Sequence, residues 1–466
     1  MSRRLSVSDL QQRPRRAAAA AVLAAVAAVG LSGCAMYTSR PLAKAPSVSD
    51  NPQRLKADLA RLRLGPLKTI RIDPSDGLTP TEVAILAVLN NSELEARRRA
   101  TRVSEAQVFA AGLLPDPQIS GSVDNPVAGP DTQLAYSVAA SIDLAGLMQR
   151  TYARRSARFT AREADLNVLW AEWGVAQQAR QFAETALAAE ARVVFLRQVL
   201  ALAADRSDRS GRALERRDVN LQTAAADLAV KLDAQAQLTM AVHDAEKARR
   251  DLNALLNLRA DVVLPLVAGR VVAAYDAAAV RQALADLPER RPDLLALKAG
   301  YAAQDVNVRK AVLAQFPLNN IGAAYAKDTA GVITQSLQAA FALPIFNGGR
   351  GEVRIQKATR EQLHAEYQAR LDQTDAEVRN AQAEQMAALR QAALLRQEVP
   401  RLEALVKPAV AAYDRGDLDS QTYLTLSQTA LTRRADLDDK ELAARLAEIA
   451  LETALFLPPA DSRAAQ

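Results

Sequence analysis

No proline lies between Pro130 and Pro265, and through this stretch apolar and small residues recur in steps of three and four. Val168, Ala171, Val175, Ala179, Phe182, Ala186, Ala189, Val193, Leu196, Leu200 and Ala203 make a seam of heptad type, which predicts a long helix that packs closely on a partner. From Leu147 to Ala203 such a helix would measure on the order of 85 Å. Leu221, Ala225, Leu228 and Leu232 repeat the spacing and predict a return limb, with the turn at Arg206 to Arg212 around Gly211.

Upstream, Thr79-Pro80-Thr81-Glu82 opens a helix with a threonine cap, proline in the first turn and glutamate at the third position. That helix runs toward Leu114 with a break near Asn90-Asn91, and Pro115-Asp116-Pro117 stops it. Two short segments follow, Gln118 to Asn125 and Leu134 to Asp143, parted by Pro126 and Gly129-Pro130 as a β-hairpin requires.

The same order then repeats about 200 residues later. Leu94, Ala96, Val108, Ala111, Leu113 and Pro117 return as Leu294, Ala296, Val308, Ala311, Leu313 and Pro317, and Thr132-Gln133 and Gly146 as Thr334-Gln335 and Gly348. The second unit predicts a helix to about Ala314, strands near Pro317 to Ala326 and Val332 to Leu343, and a helical hairpin turning at Arg415-Gly416-Asp417. Pro400 and Pro408 predict a kink or break in its first limb.

The chain thus divides into a leader (1–33), an extended tether (34–77), a first repeat (78–257, with a β-hairpin over 118–143 and a helical hairpin over 147–257) and a connector (258–290). A second repeat (291–457, with a β-hairpin over 317–343 and a helical hairpin over 349–457) and a tail (458–466) complete it. The fold class is mainly α with a small β part. Four strands are too few to close a barrel alone; three copies would supply 12, an even number within the range of membrane barrels.

Charge changes the picture only through the leader. Arg3, Arg4, Arg13, Arg15 and Arg16 precede an apolar run from Ala17 to Leu31, which reads as a signal peptide rather than a membrane span. With Asp9 these account for four of the six formal positive charges, so the mature chain lacks the basic footprint of a nucleic-acid binder. Leu31-Ser32-Gly33-Cys34 resembles a bacterial lipobox, in which Cys34, the sole cysteine, would be lipidated; Ala35 behind it favours the outer membrane.

Behind that lipobox, three motifs stand in order within the duplicated frame: Leu113-Leu114-Pro115-Asp116-Pro117, Arg291-Pro292-Asp293-Leu294, and Leu343-Pro344-Ile345-Phe346-Asn347-Gly348-Gly349-Arg350. In these the chain resembles the TolC-like outer-membrane efflux proteins, from about Leu78 to Leu457. The resemblance implies a homotrimer with a 12-stranded barrel in the outer membrane and an α-helical tunnel across the periplasm. It also implies docking of the hairpin tips, here Gly211 and Gly416, on a periplasmic adaptor linked to an inner-membrane pump. Where the family carries acidic gate residues this chain has Thr422 and Thr425, with Asp417 and Asp419 nearer the turn. The tips read Ser210-Gly211-Arg212 and Arg415-Gly416-Asp417, without the family's small-Gly-Leu pattern.

Enzyme chemistry finds no support. His243 and His364 are the only histidines, far apart and without a cysteine partner, so no transition-metal site is expected, and a conduit needs no cofactor. Asn347-Gly348-Gly349-Arg350-Gly351 lacks the spacing and ending of a phosphate loop and reads as a strand-to-helix turn. Arg290-Arg291 and the Asp436, Asp438, Asp439 cluster read as solvated helix charges, and Trp170 and Trp173 as packing residues. The end of the first strand, Ser122-Val123-Asp124-Asn125-Pro126, resembles the branch paired with heavy-metal cation pumps, so metal cations come before drugs as the expected cargo. The competing reading is a lipid-anchored periplasmic coiled-coil scaffold without a pore.

Overall fold

The computed structural model describes residues 37–68, 70, 72, 77–128, 133–269, 274–315, 318–341 and 345–459. The leader and Cys34 lie outside these, as do Gly129, Pro130, Thr132, Phe316, Pro317, Leu343 and Pro344. The chain separates at Ser47 into two units, and the described residues of the first carry no helix or strand.

In the second unit the tether packs along the body, as its sequence suggests, but it is less extended than expected. It makes three short 3-10 turns, Pro52–Arg54, Leu59–Arg61 and Gly65–Leu67, and buries Leu62, Leu64 and Leu67. Those leucines join the main core with α1 (Pro80–Asn90), because apolar side chains outweigh the extended bias of the prolines. Helix α1 is buried all round, and its Thr79–Glu82 capping box is formed. Asn91 separates it from α2 (Ser92–Ala110): its N–H ends the first helix on Ala87 O, and its side chain caps the second by accepting from Leu94 N at 3.0 Å.

Strands β1 (Gln118–Asp124), β2 (Ala135–Asp143), β3 (Leu318–Lys327) and β4 (Ile333–Phe341) form one antiparallel sheet in the order β1-β2-β3-β4. Strand β2 of the first repeat pairs with β3 of the second from Tyr136↔Lys327 to Asp143↔Asn320, so the sheet runs without a gap across the duplication. Within the chain, β1 and β4 are its edges.

Asp143 ends β2 and caps α3 (Leu144–Glu215), accepting from Gly146 N at 2.8 Å. A Cβ at Gly146 would come within 2.3 Å of that carboxylate, which accounts for the glycine. The 72 residues of α3 span about 108 Å. The predicted seam lies inward, with Val168, Ala179, Ala186, Val193, Leu196 and Ala203 buried.

The return helix α4 (Leu221–Leu255) is the expected return limb, but its leucine row is not the side that packs on α3. Leu221, Leu228 and Leu232 are exposed, and the side on α3 is Asp227, Ala234, Ala241, Ala245, Ala248 and Leu252. Two apolar rows share this helix, and the alanine row allows the closer approach to the small-residue seam of α3.

Helix α5 (Ala277–Arg290) lies in the connector and α6 (Pro292–Leu313) opens the second repeat. Gly348 and Gly349, with φ of 57° and 67°, make the turn into α7 (Arg350–Asp414), which returns as α8 (Ser420–Leu455). The buried side of α7, Thr374, Val378, Ala381, Gln385, Ala388, Ala392, Leu395 and Val399, keeps a strict four-three alternation. Of the kink or break expected at Pro400 and Pro408, the break is absent: α7 stays helical through both. Each proline is on the exposed side, where water can take the carbonyl that loses its N–H partner.

Candidate functional site: the hairpin tips and the clamp behind them

The two helical hairpins end in matching turns. Arg216, Arg217 and Asp218 donate backbone N–H to Arg212, Leu214 and Ala213 O at 3.3, 2.9 and 2.8 Å; Arg415, Gly416 and Asp417 donate to Ala411, Tyr413 and Ala412 O at 3.3, 3.0 and 2.8 Å. This is the left-handed close of a Schellman-type end, with Arg217 at φ 63° and Gly416 at φ 81°. Side chains repeat the match: Arg216–Asp218 and Arg415–Asp417 pair at 3.1 and 2.8 Å.

Gly416 is therefore at the tip, as the sequence suggests. Gly211 is not: it lies inside α3, and the first tip is centred on Arg217. Glycine drew the turn to the wrong place because an arginine here takes the left-handed conformation. The repeat of Arg-x-Asp-apolar-Asn/Asp at 216–220 and 415–419, in step with the duplication, was the signal available.

The residues expected at a gate make local bonds. Asp417 pairs with Arg415. Asp419 caps α8, accepting from Thr422 N at 2.9 Å and Thr422 Oγ1 at 2.6 Å, and these bonds hold its carboxyl below the usual aspartate value. Thr425 Oγ1 donates to Gln421 O at 2.8 Å.

The contact between the two hairpins nearest the tips lies about three turns behind Arg217 in the first hairpin and about one to two turns behind Gly416 in the second. Arg206 of α3 is 8% exposed and donates through Nε to Asp227 of α4 at 2.8 Å; that aspartate is 2% exposed. From the second hairpin, Tyr413 and Tyr423 stack at 4.7 Å with an interplanar angle of 4°. The Arg206 guanidinium carbon lies 4.0 and 4.1 Å from their ring centres, and Asp414 stands 3.4 Å from Nη1. A buried cation held between a carboxylate and two π faces is a strong contact, but it depends on all partners being present. Sequence reading missed it because Arg206 was placed in the turn. Two tyrosines ten residues apart around Gly416 were the visible trace.

Farther from the tips, α3 and α8 are joined by ion pairs: Arg180–Glu452 at 2.6 Å, Glu184–Arg445 at 3.0 Å and Arg192–Asp439 at 3.2 Å. The first is buried and the last is in solvent, so the seam weakens toward the tips until the Arg206 clamp. At its strong end Tyr275 donates to Glu452 at 2.6 Å, and Trp173, fully buried, donates to Thr453 O at 3.2 Å. Arg291 corrects another expectation: far from being solvated, it is 1% exposed, bound to Asp293 and Glu377 and lying 4.5 Å above the Trp170 ring. Burial lifts the Asp438 carboxyl above its usual value, against the pull of Arg434.

Among the described residues, no three His, Cys, Asp or Glu are grouped to hold a metal ion, and no helix is long and apolar enough to cross a membrane. His243 is exposed beside Asp244, and His364 rests edge-on to Tyr301.

No protein-family model and no curated protein matches the sequence. Solved structures do match. Similarity to CusC, described in connection with transmembrane channel formation, has a TM-score of 0.68 at 17% identity over 84% of this chain and 95% of that one. For a membrane protein from Pseudomonas aeruginosa the values are 0.70, 19%, 90% and 99%, and for the CmeC outer membrane channel of Campylobacter jejuni 0.67, 16%, 93% and 97%. The chain has the fold of the TolC-like outer-membrane channels.

Proposed function

We propose that this chain is the outer-membrane exit duct of a tripartite efflux system, assembled as a homotrimer. The observation that carries this reading is the sheet: four strands joined to helices of 72 and 65 residues, with β1 and β4 as its two edges. Edge strands offer rows of unpaired N–H and C=O groups, which cannot be left open in hydrocarbon. Pairing β4 of one copy with β1 of the next closes the sheet, and three copies give an even-stranded barrel of ordinary size. The hairpins then continue the barrel as a tunnel, with the leader removed and the chain anchored through Cys34.

Conduction through such a duct is passive, without cofactor or catalysis. An inner-membrane pump supplies the energy, and a periplasmic adaptor meets the tips at Arg217 and Gly416. The clamp of Arg206, Asp227, Tyr413 and Tyr423 is the latch of the resting state: opening requires the second hairpin to leave the first, and the graded ionic seam puts the pivot near Arg180–Glu452. Metal cations are the cargo placed first, on the character of the Ser122–Pro126 strand end, with drugs second.

Single-channel recording of the purified protein in planar bilayers tests the reading. Discrete conductance steps that grow when Arg206 is replaced are expected. A preparation that inserts and stays silent, in wild type and in the clamp variant, would favour the scaffold without a pore.

A further inference from the structure

Between the two hairpins, beside the Arg206 clamp, lies a cavity of about 350 Å³ to which conduction assigns no role. All four long helices line it: Phe195 and Val199 of α3, Val230 of α4, Val406 and Val410 of α7, and Leu431 of α8. Ala203 and Ala430 are buried in the lining, and small residues at these two places leave the space unfilled. Leu202, exposed, and the half-exposed Asp205 give the cavity a mouth on solvent.

The chemistry of the lining limits what can occupy it. At the rim, Asp205 and Arg209 pair with each other at 2.9 Å, and Glu403 pairs with Arg434 at 3.7 Å. Arg206, the buried cation of the lining, is balanced by Asp227 at 2.8 Å. An ion that entered would give up water for an apolar wall and find no free counter-charge. One polar group is left over. Arg206 Nη1 is buried without a hydrogen bond, and its contact with Asp414, at 3.4 Å, is an ion pair of loose geometry. A donor in that state favours any acceptor that comes within reach.

We infer that the cavity is a binding site for an uncharged, largely apolar molecule of about two rings with one hydrogen-bond acceptor, such as an aromatic ketone, and that its occupancy holds the clamp shut. The volume lies at the small end of ligand pockets, as that size requires. Because the walls belong to both hairpins, the site is complete only while the hairpins are together. Its ligand therefore binds the closed state in preference and shifts the balance toward it by mass action. The site stands on the cavity alone, whereas its effect on opening rests on the latch reading above.

Benzophenone, with two rings and a carbonyl acceptor, is a suitable probe because ultraviolet light couples it to neighbouring C–H bonds. Full-length protein in lipid nanodiscs is irradiated over a range of benzophenone concentrations, and labelled peptides are identified by mass spectrometry. Labelling within 195–209, 403–410 and 423–431 should saturate. It should fall about tenfold in Val410→Phe, which fills the cavity, and persist in Val410→Ala. Labelling that never saturates, or that Val410→Phe leaves unchanged, overturns the site; Leu431→Phe is the second filling variant should Val410→Phe not fold. In planar bilayers, benzophenone should lower the open probability of wild type about tenfold and leave Val410→Phe unaffected. Saturable labelling with no change in opening keeps the site and overturns its control of the latch. Equal suppression in both proteins is an effect of the lipid and overturns that control as well. A wild type that never conducts overturns the duct reading, while the labelling still decides the site.

Discussion

Replacing Arg206 by methionine is the sharpest perturbation of the hairpin clamp. It keeps an unbranched apolar stem but removes the charge between Asp227 and the stacked tyrosines. Asp227, 2% exposed, would be left as a buried carboxylate without its guanidinium. Breaking a buried pair in this way costs about 3–5 kcal/mol, and the two ring contacts at 4.0 and 4.1 Å add about 1–2 kcal/mol. Water can enter beside the half-exposed Asp414, so the lower end, about 3 kcal/mol, is the working figure. That corresponds to about a hundredfold loss of protection for amides that exchange by local opening of the tips.

Hydrogen-exchange mass spectrometry of the purified protein reads this directly. The drop should appear in peptides over 203–215 and 420–430 and be absent from 173–186, where the seam is anchored elsewhere. Combining Arg206→Met with Asp227→Leu removes the orphaned charge and should recover at least about tenfold in protection. If Arg206→Met leaves tip exchange within about twofold of wild type, or if the double variant is as labile as the single one, the clamp does not hold the hairpins and the latch is wrong.

Other outcomes follow from single sites. Trp173, wholly buried, with its ring 5.0 Å from that of Phe456, anchors the core; Trp173→Ala should cost about 3–5 kcal/mol and lower the thermal midpoint, and an unchanged midpoint would contradict the packing. Burial lifts the Glu163 carboxyl above the 4.5 of a free glutamate, so the native protein binds its proton more readily than the unfolded chain does. Its contribution to stability therefore improves as pH falls through the raised value and worsens as pH rises. Glu163→Gln should melt above wild type at pH 8, with the gap closing as pH nears 4.5; a constant gap would mean that the charge is irrelevant. Asp419→Ala removes the cap of α8 and should give roughly fivefold faster exchange at the start of that helix and no change in α3.

Much of the architecture was legible because it rests on period. The heptad seam of α3, the stop at Pro115-Asp116-Pro117 and the strand segments on each side of Pro126 are local signals, and β1 and β2 lie within a residue of where alternation and turn residues put them. Reading failed where two local signals competed or where burial decided. Gly211 outbid Arg217 as a turn residue, although the α3 seam carries the helix past it. On α4 the leucine row hid the alanine row, because hydrophobicity ranks leucine first while close helix approach favours alanine. Arg291 looked like a solvated charge and Arg206 like a turn residue; only the fold brings Glu377 and Trp170 to the one, Tyr413 and Tyr423 to the other. Pro400 and Pro408 predicted a kink or a break, and the break does not occur because both prolines lie on the exposed side of α7.

The central claim is that other copies of the chain close the edges of the sheet. Native mass spectrometry of the purified protein, released gently from detergent, tests it most directly. The account predicts a single species of three chains, and loss of that species when a proline in β4, such as Gln338→Pro, interrupts edge pairing. A chain that remains monomeric under the same release, or a trimer indifferent to the β4 proline, would contradict it.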